Sequence, residues 1–233
     1  MNEKVAIITA AGQGVGAAIA RELAACGYKL ALMSNSGGAV TLAEELGGIG
    51  MTGSVTEPDD LKKLVDAAME KYGRVDAVVV NTGHPPKGDI LAISDEDWHT
   101  GLDLLILPVA RMARLVTPIF ESQGSGAMVN ISTFSAFEPS PSFPVSSALR
   151  AGLAGYVKLY ADRYAEAGIR MNNILPGFMD NYPSSPEIVA KIPMKRYAKV
   201  QEVAKTVRFL LSEDAGYITG QNIRVDGGIT RGI

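Results

Sequence analysis

Short apolar runs alternate with longer stretches in which apolar side chains return every three or four positions, almost to the end of the chain. Residues 5–9, 29–33, 77–81, 127–132, 170–175 and 222–225 predict strands, with a weaker one at 49–52. Most of these runs are apolar at nearly every position, the pattern of parallel strands covered on both faces. The intervening stretches predict helices. Leu61, Leu64, Val65, Ala68 and Met69 fall on one helical face, and so do Val200, Val203, Ala204, Val207, Leu210 and Leu211. Ser94, followed by Asp95, Glu96 and Asp97, predicts the N-cap of another helix. No linker or internal repeat interrupts the alternation. The expected architecture is a single α/β domain over residues 1–233 with a doubly wound parallel sheet. Ligands of such sheets bind beyond the carboxyl ends of the strands.

Composition narrows the class. The 233 residues are 47% hydrophobic and 20% charged, enough to bury a substantial core. Net charge is −3, from 22 basic and 25 acidic residues, which argues against a nucleic-acid partner. No run approaches the ~18 apolar residues of a membrane span, so no membrane partner is expected. The opening MNEKVAIIT lacks the pattern of a signal peptide. The single cysteine, Cys26, lies in an apolar helical pattern and is expected to be a buried small hydrophobe. A reducing cytoplasm fits this usage, and no metal is expected.

The first predicted strand runs into TAAGQGVGAAIA, residues 9–20. Gly12, Gly14 and Gly16 lie between a strand and an Ala-rich helix, where glycines let backbone approach a pyrophosphate at the helix N-terminus. The plainer reading is a tight turn that needs small residues for helix–sheet packing. At the end of the second strand, Ser34, Asn35 and Ser36 bring neither an acid to hold NAD ribose hydroxyls nor an arginine to clamp a 2′-phosphate. NADP and NAD both remain open, and the missing acid favours NADP.

The spacing Thr9-x-x-x-x-Gly14-x-Gly16 resembles the signature of the short-chain dehydrogenases/reductases. Val78-Val79-Val80-Asn81, Ile169-Arg170-Met171-Asn172, Pro176-Gly177, Tyr217-Ile218-Thr219-Gly220-Gln221 and Val225-Asp226-Gly227-Gly228 resemble further motifs of that family. The resemblance covers nearly the whole chain. It implies a Rossmann-type sheet of seven strands, a homo-oligomer (tetramer or dimer) and a small-molecule substrate. It also implies a dinucleotide held by Thr9, Gly12, Gln13, Gly14, Val15 and Gly16, by Ser34, Asn35 and Ser36, by Ser54 and Val55, and by Asn81. Arg150, Pro176, Gly177 and Met179 complete that set, with a substrate loop near residues 178–198. Ala10 stands where the first signature glycine is usual, and Thr82, Gly83 and His84 replace the family's residues after Asn81.

The family's usual acid/base is a tyrosine, followed four residues later by a lysine and assisted by a serine and a helical asparagine. Counting from Gly155-Tyr156-Val157-Lys158 puts Ser146 at the tyrosine position and Arg150 at the lysine position. Thr133 falls at the serine position and Leu105 at the asparagine position. No Tyr-x-x-x-Lys occurs anywhere in the chain. Thr133 and Ser146 keep hydroxyls, but an aliphatic hydroxyl is a far weaker acid than a phenol. Arg150 stays charged and cannot shuttle a proton, though it can stabilise an oxyanion or bind ribose hydroxyls.

Substitute donors are His84, whose imidazole suits acid–base work, and Glu138, Asp180 and Tyr182 in the loops that line substrate sites in relatives. For each, the plainer reading is a surface-loop residue. Tyr156 and Tyr160 read as packing residues. The leading expectation is an NAD(P)-dependent oxidoreductase acting on a small carbonyl or alcohol, with Thr133, Ser146, Arg150 and His84 in an altered catalytic centre. One alternative is a catalytically silent dinucleotide-binding subunit. The other is a non-redox enzyme resembling the halohydrin dehalogenases, which carry an arginine at the lysine position. Those enzymes, however, keep the tyrosine and give up the glycine loop.

Overall fold

The computed structural model describes residues 3–232. Its strands are β1 (Val5–Thr9), β2 (Lys29–Ser34), β3 (Ile49–Thr52), β4 (Ala77–Val80), β5 (Gly126–Ile131), β6 (Ile169–Pro176) and β7 (Asn222–Val225). They form one seven-stranded sheet in the order β3-β2-β1-β4-β5-β6-β7, with every pair parallel. Each predicted strand is present to within one residue at either end. The helices are α1 (Gly14–Ala25), α2 (Gly38–Leu46), α3 (Pro58–Tyr72), α4 (Asp95–Leu105), α5 (Leu107–Gln123), α6 (Pro144–Tyr164), α7 (Pro186–Lys191) and α8 (Val200–Leu211).

Because alternate strand residues face opposite ways, the sheet carries two apolar cores. Ile8, Leu32 and Val79 pack with Ile19, Leu23, Val207 and Leu210 of α1 and α8. Ile7, Val78 and Met128 pack on the other side with Leu61, Leu64, Met112, Phe120 and Val157 of α3, α5 and α6. The helical faces read from the sequence are the buried ones, apart from Met69 and Val200 at their margins. Ser94 caps α4 by accepting from the Asp97 N–H at 3.1 Å. No helix among the described residues is long and apolar enough to cross a membrane.

Cys26 corrects one expectation, because it is exposed. It is the C-cap of α1, one residue past the last helical turn, so the buried stripe of Ile19 and Leu23 does not include it.

A polar line crosses the second core. Asn130, Asn173 and Asn222 stand in register on β5, β6 and β7. The Asn130 amide donates to Asn173 Oδ1 at 3.0 Å, and the Asn173 amide donates to Asn222 Oδ1 at 2.8 Å. Asn130 and Asn173 are buried almost completely.

Candidate active site

At the carboxyl ends of β1, β2, β4 and β5 the loops enclose a cleft of about 490 Å³. This is where an open parallel sheet offers ligands a crevice, next to the central strand whose neighbours lead away in opposite directions. The glycine loop forms one wall. Gly14 has φ +55° and opens α1, whose first turn carries no acidic side chain. Gly12 lies against Ser34, with room for no side chain, since a Cβ would come 2.8 Å from Ser34 Oγ. Gly16 packs on the Ala10 carbonyl and on Asn81. These glycines thus hold the helix close to β1 and leave backbone facing the cleft, an arrangement that suits a phosphate-bearing ligand.

Ala10 has φ +47°, a left-handed conformation that costs an L-residue about 1–2 kcal/mol. The turn needs this backbone shape, and size alone does not make alanine equivalent to glycine here. Ala10→Gly is expected to raise unfolding stability by up to about 1 kcal/mol, after the extra unfolded-state entropy of glycine is set against the relief. Urea denaturation measures this, and an unchanged midpoint would mean that the turn bears no strain.

The cleft brings together many of the sequence-predicted residues. Gly12, Gln13, Gly14, Val15, Ser34, Asn35, Ser36, Ser54 and Val55 line it, together with Asn81, His84, Arg150 and Met179. Several predicted contacts lie outside its lining. Thr9 is fully buried, and its hydroxyl donates to the Asn81 carbonyl at 2.7 Å and accepts from the Asn81 N–H at 3.0 Å. It ties β1 to β4 behind the cleft. Gly16 and Pro176 also lie behind the surface, and Gly177 packs against Asp226, 2.9 Å from where its Cβ would be. Thr133 and Ser146 are likewise not in the lining. Thr133 caps a short 3-10 turn, accepting from the Ser135 N–H at 3.5 Å, so its hydroxyl serves the loop. Ser34 lines the cleft with its hydroxyl already committed, donating to the Ser36 carbonyl at 2.6 Å and accepting from the Ala39 N–H at 3.1 Å.

Residues that the motifs did not assign complete the wall. Ser132 follows β5, Thr82 and Gly83 follow β4, and Asn181 reaches over the glycine loop, its amide 3.1 Å from where a Gly14 Cβ would be. Their position just past strand ends was the available signal. At the end of α4, Leu104 faces the cleft and Leu105 is buried beside it.

Two distant loops meet here. His84 Nε2 and Tyr182 Oη are 2.6 Å apart, with the rings edge-on at 5.5 Å between centroids. Loss of hydration lowers the His84 pKa below its usual value, and the positive charges of Lys87 and Arg150 add to the effect. Its imidazole is therefore neutral at neutral pH. The other candidate donors are occupied elsewhere. Asp180 accepts from the Val200 N–H at 3.0 Å, at the start of α8, and Glu138 accepts from the Arg231 N–H at 2.6 Å. Tyr160 is buried with its hydroxyl 2.6 Å from Thr117 Oγ1, a packing role as read from the sequence.

Arg150 extends from α6 to the end of β5, where its guanidinium donates to the Ile131 carbonyl at 2.6 Å. It is only 8% exposed, and its Nε has no partner among the described residues. Burial pushes its pKa down to about 10, which still leaves it charged at neutral pH.

The sheet order, the glycine loop and the matched motifs define a class. The chain belongs to the short-chain dehydrogenase/reductase family of NAD(P)-dependent oxidoreductases. A family pattern described as enoyl-(acyl carrier protein) reductase matches residues 9–230. Among individual relatives, a 3-oxoacyl-[acyl-carrier-protein] reductase of Synechocystis is 33% identical and is matched over 98% of both chains. Human dehydrogenase/reductase SDR family member 4 is 34% identical over 97% of this chain and 87% of its own. The L-sorbose reductase of Gluconobacter frateurii, solved with NADPH and L-sorbose, superposes with a TM-score of 0.92 at 27% identity, covering 100% of this chain and 98% of that one.

Proposed function

We propose that this chain is an NADPH- or NADH-dependent oxidoreductase of small carbonyl and alcohol substrates, with the Tyr182–His84 pair in place of the family's tyrosine–lysine pair. The observation that carries it is the 2.6 Å hydrogen bond between these side chains within the cleft that the glycine loop lines. Support for the cofactor comes from the family, from the loop's exposed backbone and from the NADPH bound to the sorbose reductase. The absence of an acid after β2 favours NADPH.

The dinucleotide, when bound, supplies or accepts the hydride. The chain must move one proton. In the oxidising direction, Tyr182 takes the proton of the alcohol while passing its own to the neutral imidazole of His84. In the reducing direction the imidazolium returns that proton through Tyr182 to the substrate oxygen. Since the folded-state pKa of His84 is lowered, the imidazolium needed for reduction becomes scarce as pH rises through a value below the usual 6.5.

Tyr182→Phe is expected to lower kcat about a hundredfold with dinucleotide affinity retained. Steady-state assay over a panel of aldehydes, ketones and alcohols, alongside NADPH titration, measures both. Full activity in Tyr182→Phe removes the proton route. Binding without turnover in the wild type removes the enzymatic reading. No structural observation favours the silent-subunit or halide readings over this one.

A further inference from the structure

Four buried side-chain polar atoms among the described residues lack a hydrogen-bond partner, and three of them belong to residues of the cleft: Thr82 Oγ1, Ser132 Oγ and Arg150 Nε. Buried polar groups are ordinarily paired, and a buried cation is ordinarily paired with an anion. Among the described residues Arg150 has no ion-pair partner, and its single hydrogen bond is to a neutral carbonyl. Among the described residues no aspartate or glutamate lines the cleft, and Arg150 is its only lysine or arginine. A buried guanidinium without a counter-charge, in a cleft that also carries two unpartnered hydroxyls, is costly to the fold. The cost is recovered when an acceptor-rich group enters and takes the free N–H and O–H donors.

We infer that Arg150, with Ser132 and Thr82, forms an anion subsite that holds a carboxylate on the substrate, so that the substrates are oxo- or hydroxy-acids rather than neutral ketones or sugars. This rests on the oxidoreductase reading and narrows it. A ribose of the dinucleotide offers hydroxyls to the same donors but no charge to offset the guanidinium, so the two occupants differ in one measurable respect. A carboxylate distinguishes itself from its own amide at this site, whereas a ribose contact leaves that comparison flat.

The test first titrates NADPH and NADH into the protein, then titrates acetate, propionate, butyrate and acetoacetate, each against its amide, by calorimetry with the tighter-binding dinucleotide saturating. The expected result is binding of one or more carboxylates about tenfold or more tighter than the matching amide. Arg150→Gln abolishes that preference, Arg150→Lys keeps part of it, and Ser132→Ala weakens it. Because Arg150→Gln removes a buried charge, it is expected to melt no lower than the wild type, which separates lost binding from lost fold. Equal affinity for acids and amides, or a preference that survives Arg150→Gln, overturns the subsite. Should neither NADPH nor NADH bind, the oxidoreductase reading falls on that measurement alone. The same acid–amide comparison on the free protein then decides the subsite, an Arg150-dependent preference for acids supporting it and no preference overturning it.

Discussion

Gly16→Ala is expected to destabilise the protein by about 3 kcal/mol and to weaken dinucleotide binding more than a hundredfold. The change adds one methyl group. That carbon would overlap the Ala10 carbonyl oxygen and lie 2.9 Å from Asn81 Nδ2. Neither neighbour can retreat cheaply. Ala10 is backbone at a left-handed turn, and the Asn81 amide donates to that same carbonyl at 3.1 Å. Helix α1 must therefore move off β1, which enlarges the turn that presents Gly12 and Gly14 to the cleft and also loosens the Ile19 and Leu23 side of the first core. Chemical denaturation and NADPH titration read the two effects separately. Retention of wild-type affinity would falsify the account of the glycine loop as a close-packed cradle.

Asn173→Leu is expected to cost about 3 kcal/mol of stability with little change in cofactor affinity. Leucine shares the branched side-chain skeleton of asparagine, although its methyl groups are bulkier. The loss is polar, because the substitution leaves the Asn130 amide without its acceptor and Asn222 Oδ1 without its donor. Unpaired buried groups cost about 1–3 kcal/mol each. The Asn130→Leu/Asn173→Leu pair is expected to cost less than the sum of the single changes, because the two amides are lost together. Additive costs in a double-mutant cycle would show that the line of amides contributes nothing as a unit.

The contrast between these two sites shows what was legible in the sequence. The strands were readable because their apolar runs respond to a strong and local demand, burial on both faces. Turn chemistry was readable at Gly12, Gly14 and Gly16 because few residues satisfy it. The amide line was not readable, since its members are 43 and 49 positions apart and each looks polar in an apolar strand. For the cleft, Arg150 and His84 were named from the chain, but their surroundings were not. Sequence spacing placed Thr133 and Ser146 at catalytic positions, while the fold turns the Thr133 hydroxyl into a loop cap and keeps Ser146 off the cleft wall. Cys26 failed for a smaller reason: periodicity does not mark the last buried turn of a helix.

The Thr9–Asn81 bonds span 72 positions and the His84–Tyr182 bond spans 98. With β1 between β2 and β4 in the sheet, its partner β4 is synthesised only after β2 and β3. Loop closure on this scale makes the cleft a product of late folding, since non-local pairing must be paid for entropically before it stabilises anything. A chain arrested with its first three strands and their helices would carry the glycine loop without the β4 contacts that fix its far wall. One arrested before residue 178 would add the His84 loop and Arg150 but lack Tyr182 altogether. The glycine loop's wall and the proposed proton route thus mature at different lengths of chain, and only the finished sheet holds both.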